Sequence, residues 1–347
     1  MSDVGEAIET TRRAIGVTQG GLAQEVGVTQ AALSRYENGE REPSEDVLER
    51  IAEALGVTTD FLRTSPRAES PIAVESHMRR RATAKVADWR RAEARLNVMR
   101  RQVDRVFSKV EMTPTLYLPT VDPTEMGPEE AAQLVRQQWR MPIGPVRKLS
   151  RWMDAAGIAV VEDDLQTPRI DGLSQRVGLF PVVLLNQDVP MDRKRLTMAH
   201  ELGHIVLHSE YATTNMEAEA NLFASELLMP ATVIRPHLRS LTTSKLRSLK
   251  AEWGVSMQAL VERAHQLGVM SSTDRTAFYK KMSRLGWRTQ EPGSDLLPQE
   301  EPQLLSKVQN QLENGGLTQY SLEKLSGVRA NRVDSVFKER HPRLRAV

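Results

Sequence analysis

The sequence predicts a mainly α, α+β protein: an N-terminal five-helix domain, a central α+β domain with a small sheet, and a C-terminal helical module. Three observations carry that expectation. Apolar residues recur at helical spacing along most of the 347 residues. Three short runs rich in Val, Ile and Leu, at 158–162, 173–177 and 182–185, are separated by polar turns and read as strands. Proline-bearing polar stretches at 64–71, 114–128 and 291–302 divide the chain. The expected units are 1–65, a linker with a long basic helix at 66–128, 129–290, and 300–347.

Composition bounds the function. Apolar content of 40% and charge of 27% are those of an ordinary globular protein. With no cysteine, disulfides and Cys-type zinc fingers are excluded, which fits a cytoplasmic protein. There is no N-terminal apolar leader, and no run nears the ~18 apolar residues of a membrane span. The net charge of +2 conceals a division. Residues 1–66 hold six Arg against twelve Asp/Glu, a net −6, whereas residues 67–110 hold twelve Lys/Arg against five acids, a net +7.

The first domain reads as five helices between residues 3 and 62. Thr18 caps the second, which Gly27 closes; Thr29 caps a third running to about Glu37; Ser44 caps a fourth through Leu55; a last turn covers 59–62. Two short helices joined by a glycine-containing turn form a helix-turn-helix. The run GVTQGGLAQEVGVTQAALSRYENGEREPS resembles the XRE/Cro-type DNA-binding family over the whole segment. The resemblance implies a recognition helix from Thr29 to Tyr36. Gln30, Ala31, Ser34 and Arg35 would face the major groove of an operator duplex, while Ala32 and Leu33 pack inward. Gln19, at a helix start, would meet a phosphate. Arg pairs bidentately with guanine and Gln with adenine, so these side chains suit base readout. The domain's negative charge weakens phosphate attraction, and a homodimer reading paired half-sites is the expected remedy.

Residues 74–110 read as a long Arg-rich helix with RRR at 79–81 and an apolar stripe of Val86, Trp89, Leu96, Val103 and Val106. Its basic face is expected to be solvated, or else to supply phosphate contacts the first domain lacks. Helices are expected at 129–139 and 146–156, then the three strands, then a helix at 193–206.

That helix holds His200-Glu201-Leu202-Gly203-His204. Residues four apart share a helix face, so both imidazoles can grip one metal while Glu201 reaches its water as general base. Without cysteine, a third ligand must be His, Asp or Glu. Glu217 and Glu219 open a second helical run, 215–228, and Asn221 shares a face with Glu217.

H-E-x-x-H, a short loop, and then E-x-E-A-N-x-F-A-x-E-L-L-M-P resemble the ImmA/IrrE (M78-like) family of zinc metallopeptidases, over about residues 145–268. That resemblance implies a zincin-like domain with Zn2+ on His200, His204 and Glu217, and Glu201 as base. Glu219 stays the alternative, because spacing does not separate the two. It implies a protein substrate, a repressor or antitoxin cut under stress or phage pressure. The longer pattern with a third histidine is absent, so His208 is expected to pack or to support a ligand. Tyr211 reads as a surface aromatic. The 172–177 stretch is the candidate edge for holding extended substrate.

The hairpin pattern recurs. Leu249 to Leu260 repeats Leu22 to Leu33, and Thr318 to Val328 repeats Thr18 to Val28, so three hairpins are expected. The second offers Met257, Gln258, Val261 and Glu262 at groove-facing positions and reads as structural. The third offers Ala330, Asn331, Asp334 and Ser335 and reads as an interaction module set apart by 291–302. The expected whole is a DNA-binding regulator with a zinc endopeptidase domain. The alternatives are a repressor whose peptidase-like domain senses without cutting, and a scaffold with a structural metal. Self-cleavage within 64–75 would couple the two functions.

Overall fold

A computed structural model describes residues 3–64, 85–110, 112–176 and 180–337. The RRR run, the proposed self-cleavage stretch beyond Thr64 and the end of the 173–177 run lie outside them.

The first domain holds α1 (Asp3–Ile15), α2 (Gln19–Glu25), α3 (Gln30–Glu37), α4 (Glu45–Leu55) and α5 (Thr59–Arg63). Thr18 and Thr29 cap as expected, accepting from the backbone N–H of Gly21 and Ala32 at 3.1 Å. Ser44 precedes α4 without a side-chain cap bond. Gly27 takes the left-handed φ of +69° that reverses the chain between α2 and α3. Ile8, Leu22, Leu33, Ile51 and Phe61 fill the core. Arg12 closes bidentately on Glu37, at 2.6 and 2.8 Å, and ties α1 to the end of α3.

α6 (Val86–Phe107) departs in part from the solvated basic face: Arg90 is exposed, but three other arginines are buried. It is the spine of the molecule, packed on α1, on the sheet and on the C-terminal helices. Trp89, Leu96, Val103 and Val106 are buried, and so are Arg95, Arg100 and Arg101; of the expected stripe, Val86 alone is exposed. A buried guanidinium persists only when its donors are met. Arg95 donates to the Ala14 carbonyl at 3.0 Å and to Asp163 at 2.8 Å, joining the first domain to the sheet. Arg101 donates to the carbonyls of Phe61 and Thr64 and lies over the Phe61 ring. Burial, then repulsion from Arg100 and Arg105, lowers its pKa to about 10. Arg105 pairs with Asp60 at 2.6 Å. These arginines fasten the first domain to the body, so they are not free for phosphates.

α7 (Pro128–Gln138) and α8 (Leu149–Ala155) precede the sheet. β1 (Ala159–Asp163) runs parallel to the central β3 (Val182–Asn186), and β2 (Gly172–Gln175) pairs antiparallel on its other side, with Gly172 opposite Leu185. Alternation along β3 sends Val183 and Leu185 into one core and Val182 and Leu184 into another. The first core lies under α9 (Met191–Leu207) and α10 (Met216–Leu228); the second lies against α6. Then come α11 (Ala231–Ile234), α12 (Thr243–Trp253), α13 (Met257–Gln266) and α14 (Ser272–Arg284). α12 and α13 form the second hairpin, with Gly254 at φ +66° and Ser256 capping Ala259 at 3.0 Å.

The stretch 291–302 is not a separator. Glu291 accepts from Lys250 at 2.9 Å and from the Met257 N–H at 2.6 Å. Glu300 accepts from the Ser150 N–H at 2.8 Å and pairs with Arg195. The stretch is a strap tied to α8, α9, α12 and α13. Asp154 then caps α15 (Leu304–Asn314), accepting from Gln303 and Leu304.

The third hairpin also fails to form. α16 (Gln319–Ser326) ends at Gly327 as the repeat predicts, but residues 328–337 form turns. The backbone pairs across to the first domain instead: Val328 bridges Val57, the Thr58 N–H donates to Gly327 at 2.9 Å, and the Arg329 N–H to Gly56 at 3.0 Å. Asp334 and Ser335, expected on an outer face, are buried. Asp334 holds Arg332 at 2.6 and 2.7 Å, and its carbonyl accepts from Gln102. Ala330 is buried as well.

Candidate metal centre

α9 starts after Pro190 and runs through the H-E-x-x-H with His200, Glu201 and His204 all buried. Gly203 lets α10 come close. A Cβ there would meet Phe223 at 3.1 Å and the Ala220 Cα at 3.2 Å, so a larger residue would push the helices apart. That approach sets the first turn of α10 opposite the two histidines.

The Nε2 atoms of His200 and His204 lie 3.0 Å apart. Glu217 lies 3.6 Å from the first and 3.4 Å from the second. Donor atoms of these three residues all lie within 4.8 Å of one another, a grouping fit for one ion. Glu219 points elsewhere, accepting from His208 Nε2 at 2.8 Å and from Thr213 at 2.7 Å. The ambiguity that spacing left is thus separated by geometry: Glu217 faces both imidazoles, and Glu219 faces His208.

The outer contacts set the tautomers. His200 Nδ1 lies 3.0 Å from Asn221 Oδ1, which only accepts, so Nδ1 carries the hydrogen and Nε2 a lone pair. His208 Nε2 lies 2.8 Å from Glu219 and its Nδ1 lies 3.0 Å from His204 Nδ1; when that contact takes its hydrogen from His204, a lone pair is left on His204 Nε2. In those tautomers two lone pairs and a carboxylate face one another. Two imidazoles with one carboxylate suit zinc.

Glu201 Oε2 accepts from Ser174 Oγ at 2.7 Å. Ser174 is on β2, the edge strand, so the carboxylate expected to act as base is held by the strand expected to hold substrate. Sequence reasoning missed Ser174, because a serine on a short strand carries no signal for a helix it meets 27 residues later. His208, expected to pack or to support a ligand, lies 3.0 Å from His204 Nδ1; its pairing with Glu219 carried no signal in the sequence. Tyr211 is exposed, as expected of a surface aromatic.

At the first domain, Thr29, Gln30, Ala31 and Arg35 are exposed on α3, Ser34 is half-buried, and Leu33 is buried. The Gln19 amide donates to Glu37 at 3.0 Å, joining the Arg12–Glu37 pair.

Residues 153–265 match the family model of the IrrE N-terminal-like domain, Peptidase M78. The chain joins that domain to a second one. Residues 8–62 match the helix-turn-helix family model, so the two matches fall on the two regions separately. The repressor protein C2 of Salmonella phage P22 is 28% identical over 86 residues, covering 25% of this chain and 40% of that protein. An uncharacterized HTH-type transcriptional regulator, YonR, derived from prophage SPbeta of Bacillus subtilis is 34% identical over 65 residues, 19% of this chain and 60% of its own. The cryptic phage CTXphi transcriptional repressor RstR of Vibrio cholerae is 37% identical over 57 residues, 16% and 51%. The chain spans 40% to 60% of the length of these curated relatives. Among the described residues no helix is long and apolar enough to cross a membrane.

Proposed function

We propose that this protein is a DNA-binding transcriptional regulator whose second domain is a zinc-dependent endopeptidase acting on a protein substrate, a repressor or antitoxin. The observation that carries the peptidase half is the convergence of His200, His204 and Glu217, beside a carboxylate, Glu201, that is fixed but takes no part in the cluster.

His200, His204 and Glu217 would hold the zinc. Bound there, zinc supplies a Lewis acid that makes attack by water on a peptide carbonyl feasible near neutral pH. Glu201 takes the proton from the attacking water and returns it to the leaving amine. Ser174 keeps the Glu201 carboxylate aimed while the proton is carried. Asn221 and the His208–Glu219 pair hold the two imidazoles in the tautomer that binds metal. Extended substrate lies along β2. The Asn186 N–H donates to the Asp171 carbonyl, so Asp171 faces β3, and by alternation Gly172 and Ser174 turn their N–H and C=O to the edge away from β3.

The DNA half rests on α3, whose Gln30, Ala31 and Arg35 stand exposed, and on the relatives named as repressors. Two copies reading paired half-sites would offset the domain's negative charge.

The test is digestion of a random-sequence peptide library by the zinc-loaded chain beside Glu201→Gln. Cleavage by the wild type, lost in a Glu201→Gln variant that retains its zinc, is the expected result. A wild type that holds zinc and cuts nothing overturns the peptidase half.

A further inference from the structure

α13 occupies the place of the recognition helix in the second hairpin, but it does not present that face to solvent. Met257 and Val261 are fully buried. Gln258, Glu262 and Gln266, spaced at i, i+4 and i+8, form one stripe along it. That stripe is one wall of a cavity of about 530 Å³, within the range of sites that hold a small ligand or a few side chains. The opposite wall is the metal-bearing face of the molecule. It includes Thr197, three residues before His200 on α9, and Asn221, the residue on His200 Nδ1. Ser225 on α10 and Thr289 in the segment before the strap complete it.

The cavity also meets the edge strand. Asp171, the residue before β2, lines it. At Gly172 a Cβ would stand 2.7 Å from Thr197 and 2.9 Å from the Leu184 carbonyl, so the strand runs directly against α9 there. β2 therefore leads from Ser174, at the level of Glu201, to Gly172, at the mouth of the cavity.

The carboxylates around the cavity are already paired. Asp171 holds Arg193 at 2.7 and 2.8 Å. Glu262 holds Arg275 at 2.9 and 3.0 Å and the Tyr279 hydroxyl at 2.5 Å. Asp192 and Glu291 share Lys250. Arg288 stacks on Tyr279. Gln258 donates its amide N–H to the Arg288 carbonyl and to Glu291 at 3.3 Å, and the Asn221 oxygen is on His200, so what is left to meet a ligand is the Gln258 oxygen, the Asn221 amide N–H, Gln266, Ser225 and Thr289.

The geometry points to this cavity as the specificity pocket of the peptidase groove, taking an uncharged amide side chain, Gln or Asn, of a peptide laid along β2. The assignment rests on the peptidase reading above. A pocket lined by amides and hydroxyls favours a ligand that pairs with them, since an apolar side chain leaves them unpaired, a basic one finds the carboxylates already paired, and an acidic one meets Asp171, Asp192, Glu262 and Glu291 against Arg193 and Arg288. The second hairpin has thus kept the backbone of a nucleic-acid reader and turned its reading face onto a peptide.

The test uses hydroxamates, which bind metal without turnover. Two short series carry Gln, Asn, Leu, Glu or Lys on one side or the other of the hydroxamate, and affinity for the zinc-loaded full chain is measured by calorimetry. In one series Gln or Asn is expected to bind about tenfold or more tightly than Leu, Glu or Lys. Gln258→Ala with Gln266→Ala is expected to erase the difference while acetohydroxamate still binds. Equal affinities across both series, or a preference that survives the double substitution, overturn the pocket and leave the peptidase reading standing. Failure of any hydroxamate to bind a chain that holds zinc overturns both. Tight binding of free glutamine to the metal-free chain, with no preference among hydroxamates, would mark a small-molecule site instead and also overturn the assignment.

Discussion

In the hairpin from Leu22 to Leu33, the second helix rests on α1 and α2 and leaves Gln30, Ala31 and Arg35 in solvent. In the hairpin from Leu249 to Leu260, the second helix sinks Met257 and Val261 into the core and turns Gln258 and Glu262 toward a cavity. Local chemistry is nearly the same in both. A hydroxyl caps the second helix, at Thr29 or Ser256, and a left-handed glycine makes the turn, at Gly27 or Gly254. The difference lies in what packs on the far side: nothing beyond the domain's own helices is needed to cover α3, whereas α13 is covered by α10, α14 and the strap. A shared hairpin backbone therefore does not transfer a shared partner.

The sharpest way to break this comparison is at the exposed faces. Gln30→Ala with Arg35→Ala is expected to reduce operator affinity by at least about thirtyfold, since each bidentate base contact contributes about 1–3 kcal/mol. Gln258→Ala with Gln266→Ala should leave DNA affinity unchanged in the same gel-shift titration. Equal losses from both pairs would mean that the second hairpin also reads DNA.

Where the hairpins are alike, substitutions should be alike. Leu33 and Leu260 are both fully buried, so either Leu→Ala change is expected to cost about 2–5 kcal/mol in denaturant unfolding. A cost near zero at Leu260 would mean that α13 is not core-packed.

The glycines give a smaller but more discriminating effect. Ala at φ near +67° costs about 1–2 kcal/mol in either turn. At Gly27 nothing lies within 4 Å, whereas at Gly254 the new Cβ would meet Arg195 Nε at 2.8 Å. Gly254→Ala should therefore lower the melting temperature more than Gly27→Ala, through the Arg195–Glu300 pair.

The smallest effect is in pH. Burial, ahead of the opposing pull of Arg100, raises the Asp104 pKa from 3.8 to about 6. The folded chain then keeps its proton where the unfolded chain has lost it, so this group subtracts stability as pH rises from about 4 to 6. Asp104→Asn should flatten that part of the stability–pH curve; a steeper curve would contradict the assignment.

Most of the helices were legible in the sequence because caps and turns act locally. Thr18, Gly27 and Thr29 mark ends without reference to anything distant. The metal cluster was legible for a similar reason, His200 and His204 being one turn apart. What escaped were long-range contacts. The arginines of α6 read as a solvated face, because their partners, the carbonyls of Ala14 and Phe61, carry no side-chain signal. The acids of 291–302 read as a loose spacer, although Glu291 and Glu300 meet Lys250 and Arg195. The third hairpin was expected from Thr318 to Val328, but its second half pairs with Val57 and Gly56 instead. Glu217 and Glu219 both fitted the spacing, and only the approach of α10 at Gly203 separated them.

The central claim is tested most directly by the zinc content and zinc affinity of the purified chain beside Glu217→Ala and Glu219→Ala. The account predicts about one zinc per wild-type chain, loss of it in Glu217→Ala, and retention in Glu219→Ala with affinity weakened about 10–100-fold through His208. Zinc lost with Glu219→Ala and kept with Glu217→Ala, or a wild-type chain that cannot be loaded, would contradict it.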